Sequence, residues 1–73
     1  MKIFESPTYP DGQLVMVGDE IKNNDFGDTT FLVLSIEGPD DPDNPKMTLQ
    51  VLGEPNKKGP GCLCKNDYLV KRK

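Results

Sequence analysis

The sequence predicts an all-β fold, a five-stranded, mainly antiparallel barrel with an extended N-terminal arm, and three observations carry that prediction. Gly and Pro together supply 14 of the 73 residues, and they fall in clusters that cut the chain into short segments. The segments between the clusters are rich in β-branched and aromatic residues and alternate with period two. No stretch shows the apolar period of a helix. A chain of 73 residues has room for one core, because chains this short bury only about 60% of the surface that their unfolded state exposes. The expected division is an arm or extra strand over residues 1–13 and a small barrel over 14–73.

Taken in order, Gln13-Leu14-Val15-Met16-Val17 is the approach to the first barrel strand, which follows a Gly turn or bulge in Gly18-Asp19-Glu20-Ile21. The polar stretch from Lys22 to Asp28 is a loop. Thr30 to Glu37 is the clearest strand, and simple alternation puts Leu32, Leu34 and Ile36 on one face, with Phe31 and Val33 on the other. Three prolines between Gly38 and Pro45 deny both helix and ladder hydrogen bonds, so that segment is a loop. Lys46 to Leu52 alternates again, with Met47, Leu49 and Val51 facing inward. Gly53 to Gly61 is expected as a turn region and Cys62 to Lys65 as a short strand. Asn66-Asp67-Tyr68-Leu69 is expected as a tight or 3₁₀ turn before a closing strand, Val70-Lys71-Arg72. The core is then Leu32, Leu34, Ile36, Met47, Leu49, Val51 and Leu69.

Composition narrows the function classes. Hydrophobic residues make up 34% and charged residues 29% of the chain, lean for a globular protein but short of the polarity that prevents folding. The longest clean apolar run, Phe31 to Leu34, falls far below the roughly 20 residues that span a bilayer, so no membrane association is expected. The first seven residues meet Glu5 and Pro7 before an apolar segment develops, which argues against a secretory signal and for a cytoplasmic setting. Cys62 and Cys64, two apart on an expected strand, would have Cα atoms about 6.6 Å apart, near the limit for a disulfide; they are read as strand residues.

Catalysis finds no machinery. The chain has no His, no Gly-rich phosphate loop and no nucleophile beside a base. No catalytic residue and no cofactor are therefore assigned, and the protein is expected not to be an enzyme. Two cysteines are half of a structural zinc site, and Asp40, Asp41, Asp43 and Asn44 lack the ordered spacing of a calcium loop, so no metal is assigned either.

Charge is divided along the chain. Residues 1–45 hold two Lys against ten acids, a net −8; residues 46–73 hold seven Lys and Arg against two acids, a net +5; together they give the overall −3. The basic half supplies an alternative reading, nucleic-acid binding through Lys57, Lys58, Lys65, Lys71, Arg72 and Lys73. Against it stand a pI of about 4.7 and a single nearby aromatic, Tyr68.

The order of segments, a Gly-Asp-Glu-Ile start, a polar loop with Gly, a strong apolar strand, a loop, an alternating strand, a Gly-rich turn and a one-turn Tyr-Leu element before the last strand, resembles the Src-homology-3-like small barrels, including KOW- and Tudor-type variants, over about residues 14 to 72. The chain departs from the peptide-binding members in having no Trp to floor a proline groove. A compact, acidic chain of this size is also similar to many phage-encoded accessory proteins. The barrel resemblance implies a binding module whose rim carries Asp25, Phe26, Asp28, Asp40, Asp41, Asp43 and Tyr68. The expected partner is a protein with a basic surface, since aromatics supply buried area and clustered acids steer a cation. Phe31 and Val33 leave two alternatives open: the arm, with Ile3, Phe4 and Tyr9, covers them, or they form an apolar patch for a partner or a second copy.

Overall fold

The β-branched stretch Thr30–Ile36 forms the middle strand of the molecule, and its two neighbours pair with it antiparallel. The computed structural model describes residues 6–72, and in it five strands, β1 (Glu20–Asn23), β2 (Thr30–Ile36), β3 (Met47–Val51), β4 (Glu54–Gly61) and β5 (Asp67–Lys71), make one sheet in the order β4-β3-β2-β1-β5. Every ladder is antiparallel. Among the described residues no ladder joins β4 to β5, so the sheet is open. There is no α-helix among them; a single 3₁₀ turn, Asn24–Phe26, follows β1.

One irregularity in β2 decides which side chains share the core. Phe31 pairs with Val51, Val33 with Leu49 and Ile36 with Met47, and the register shifts between Val33 and Ser35. The extra residue is Leu34, so simple alternation fails there: Val33 and Ile36 face the core together, and Leu32 and Leu34 do not. Val33 is 1% exposed, and with Tyr9, Val15, Ile21 and Met47 it forms the buried cluster against which Ile36, Leu49, Leu63 and Leu69 pack. Of the core expected from alternation, Met47, Ile36, Leu49 and Leu69 are in place, while Leu32, Leu34 and Val51 stay outside the cluster. Tyr9, Val15, Ile21 and Val33 take their places.

Two of these come from the segment before β1. Pro10 presets the turn Tyr9-Pro10-Asp11-Gly12, closed by the Gly12 amide donating to the Tyr9 carbonyl at 2.9 Å. The chain then doubles back. The Tyr9 amide donates to the Gln13 carbonyl, the Val15 amide to the Pro7 carbonyl, and Thr8 bridges Leu14. Tyr9 and Val15 thereby share the cluster with Val33; Ile3 and Phe4 lie outside the described residues.

The C-terminal half differs most from the sequence expectation. The stretch expected as a turn, Gly53 to Gly61, is mostly strand β4, and the turn shrinks to Leu52 and Gly53, whose φ of 84° suits only Gly without strain. Prolines are tolerated in β4 because it is an edge strand, where an absent N–H on the outer side breaks no ladder. Its glycines leave room: Gly61 lies opposite Met47, and a Cβ on it would stand 2.8 Å from Leu49 Cδ1. Cys62 to Cys64 is then not a strand. The turn after it falls at Lys65 and Asn66, and Tyr68 and Leu69, expected in that turn, belong to β5.

Candidate functional site

The acids expected on one rim sit on two loops, and hydrogen bonds tie both to the turn before β5, whose Asp67 was not among the expected residues. Asn23, 1% exposed at the end of β1, is the hub. Its Oδ1 accepts from the Asp25 amide at 2.8 Å, which caps the 3₁₀ turn, and its Nδ2 donates to Asp67 Oδ1 at 2.6 Å. Asp67 Oδ2 in turn accepts from the Cys64 amide at 2.6 Å. Across the same turn Asn66 Nδ2 donates to Asp25 Oδ2 at 2.9 Å, and from the Pro-rich loop Asp40 Oδ1 accepts from the Leu63 amide at 3.0 Å. Asp25, Asp40 and Asp67 therefore converge on the segment from Cys62 to Asp67. Asp41 caps the Asp43 amide at 3.0 Å within its own loop, and Asp28 and Asp43 are exposed beside the others in sequence.

The two thiols register this field. Burial, then Asp40, Asp67 and Asp41, push the Cys62 thiol above its ordinary value; burial, then Asp67, Cys62, Asp40 and Asp25, do the same to Cys64. Both cysteines are free and stay protonated at neutral pH, which makes them poor nucleophiles and poor thiolate ligands. Among the described residues no three His, Cys, Asp or Glu side chains form a group able to hold a metal ion. Nor does any Lys or Arg among them pair with Asp25, Asp28, Asp40, Asp41, Asp43 or Asp67: the two ion pairs are Lys57 with Glu54 and Arg72 with Asp19.

The hydrogen bonds of this edge involve none of the expected aromatic residues with described side chains, Phe31 and Tyr68. Tyr68 lies across from Lys22, on the opposite face of β5 from Leu69, and is 42% exposed. Phe26 closes the 3₁₀ turn, but its side chain lies outside what the structure describes. Phe31 is on the core side of the sheet, in an open groove of about 390 Å³ that it lines with Leu49, Val51, Lys57, Lys58 and Pro60.

The basic residues are dispersed. Lys57 and Lys58 are on the β4 edge, Lys65 is on the turn before β5, and Lys71 faces Glu20 across β1. Lys73 lies outside the described residues. Arg72 is committed to a charge buried inside the protein: its Nε donates to Asp19 Oδ1 at 3.1 Å and its Nη2 to Asp19 Oδ2 at 3.2 Å and to the Leu14 carbonyl at 2.7 Å. Asp19 has no exposed surface, and its Oδ2 also accepts from the Tyr9 hydroxyl at 2.6 Å and the Met16 amide at 2.9 Å. Burial alone would raise the Asp19 pKa, but the donors from Arg72, Tyr9 and Met16 outweigh it and hold the carboxyl below its ordinary value. Burial, with the adjoining carboxylate, pushes the Tyr9 hydroxyl well up, so it stays a donor.

One surface was not expected from the sequence. The face of the sheet away from the core carries a second groove, about 440 Å³, lined by Val17, Leu32, Leu34 and Leu52 with Glu20 and Lys71 at its side. Leu32 and Leu34 are expected in the core with Ile36, but Val33 is the buried residue, so they lie on the opposite face, and the bulge at Leu34 separates Ile36 from them. Compared with protein-family models, curated proteins and solved structures, the chain matches none.

Proposed function

We propose that the chain is a non-enzymatic binding module that engages a protein with a basic surface through the acidic loop edge, with Phe26 and Tyr68 as its aromatic flanks. The observation that carries this reading is that Asp25, Asp40 and Asp67 converge on the segment from Cys62 to Asp67, with Asp28, Asp41 and Asp43 on the same loops, and no cation among the described residues neutralises any of them. Mutual repulsion would drive such acids apart on free loops. Here the hydrogen bonds to Asn66, Leu63 and Asn23 hold them, so part of the ordering cost of binding is met before a partner arrives. A cationic partner gains on approach from the summed field.

The strand order supports a fold reading as well. A meander in which β1 lies between β2 and β5 is the connectivity of a Src-homology-3-like barrel, and we read the open sheet as a variant of it, acting in the cytoplasm.

The test uses residues without a structural task. The carboxylates of Asp28 and Asp43 make no hydrogen bond or ion pair among the described residues, so Asp28→Lys with Asp43→Lys reverses charge while leaving the loop ties intact. Fluorescence anisotropy with a labelled Lys- and Arg-rich peptide should show binding that weakens with salt and falls at least about tenfold in the double variant. Equal binding by wild type and variant removes the acidic edge as the site.

A further inference from the structure

A sheet that is apolar on both faces needs cover on both, because water is a poor neighbour for either. The inner face here is covered by the segment that carries Tyr9 and Val15. The outer face has Leu32 between Glu20 and Gln50 in the ladder, the bulged Leu34, and Val17 and Leu52 at the margins, 59% and 45% exposed.

We propose that this outer face is the contact surface of a symmetric dimer, its occupant a second copy of the same chain. The charges of the groove select that occupant. Glu20 and Lys71 are cross-strand neighbours, one acid and one base beside an apolar centre. A two-fold axis through the centre sets Glu20 of each copy against Lys71 of the other, forming two reciprocal ion pairs and burying no net charge, the self-complementarity that an isologous contact requires. A cationic protein drawn by the acidic edge finds no such preference here, since Lys71 opposes it. A stable contact takes roughly 800 Å² from each partner, about a sixth of this chain's 5104 Å². Small domains with thin cores commonly gain stability by association.

Sedimentation equilibrium of the full chain over a wide concentration range tests this. The expected result is reversible dimerisation of the 8.1 kDa chain. Leu34→Glu and the more exposed Val17→Glu should each leave it monomeric throughout, with Val17→Glu guarding against a folding defect. Glu20→Lys and Lys71→Glu, which set like charges face to face, should each weaken the dimer at least about tenfold, and combining them should restore it. A wild type that stays monomeric at every concentration overturns the proposal, as does a dimer indifferent to Val17→Glu and Leu34→Glu. Peptide binding at the acidic edge is measured separately and does not involve these residues, so either reading fails without the other.

Discussion

Asp19 gives up all its contact with water, and the cost of that is offset by donors from both ends of the described chain. The Tyr9 hydroxyl, the Met16 amide and the two Arg72 nitrogens surround it. The arrangement pins the segment before β1 to the residue after β5, and it makes each donor expensive to lose. Tyr9→Phe keeps the ring in the core but withdraws a hydrogen bond to a charged, buried acceptor, and should destabilise by about 1.5–3 kcal/mol in urea unfolding. The same site sets a pH dependence. Because the folded-state pKa of Asp19 is lowered, its contribution is fully present above the ordinary Asp value and is lost as pH falls through the lowered one. Tyr9, whose pKa is raised, acts at the other limit: stability is lost as pH rises from the ordinary Tyr value through the raised one. Urea midpoints recorded against pH should therefore fall at both extremes, and Asp19→Asn should flatten the acid limb.

At the scale of elements, the β3–β4 hairpin shows how much position governs a residue type. Gly53, Gly59 and Gly61 stand within nine residues of one another, yet their replacement by Ala should differ. Gly61→Ala brings a methyl against Leu49 and should cost about 1–3 kcal/mol through overpacking. Gly59→Ala meets nothing within 4 Å and should stay within about 0.5 kcal/mol. Gly53→Ala has space but the wrong φ, and should cost about 1–2 kcal/mol. Thermal unfolding of the three variants checks the order. The same residues explain what the sequence concealed. β2 and β3 were legible because β-branched and apolar residues alternate in them, whereas β4 carries Pro55, Pro60 and two glycines and looks like a turn unless its edge position is known. The 3₁₀ turn was displaced from the Tyr68 region to Asn24–Phe26 because its cap is Asn23, a polar residue that sequence alone places in a loop and the fold buries. For the acidic edge, the loops were readable from their Pro, Gly and Asp content. The ties that gather them, Asn23 to Asp67 and Asp40 to Leu63, join residues far apart in sequence and leave no local signal.

For the whole molecule, the decisive fact is that Val33 is the buried residue of β2 and one bulge brings Ile36 to its side, away from Leu32 and Leu34. Alternation through Leu32, Leu34 and Ile36 would put the two leucines inside, where truncation to Ala removes buried methyl groups and leaves a cavity. With the register shift at Leu34, the side chains that fill the interior are Ile21, Val33 and Met47, and the leucines face outward. Substitutions on the two faces should therefore differ in kind as well as in size. Ile21→Ala empties a position 2% exposed and should cost about 2–5 kcal/mol at any protein concentration. Leu34→Ala leaves the interior intact and should cost within about 1 kcal/mol in dilute protein. If a second copy covers the outer face, Leu34→Ala also loses the rise of melting temperature with concentration that the wild type shows, because stabilisation by association follows mass action. Melting curves for both variants across protein concentration separate the two faces. A Leu34→Ala loss as large as that of Ile21→Ala in dilute protein would return Leu34 to the core and take the bulge with it.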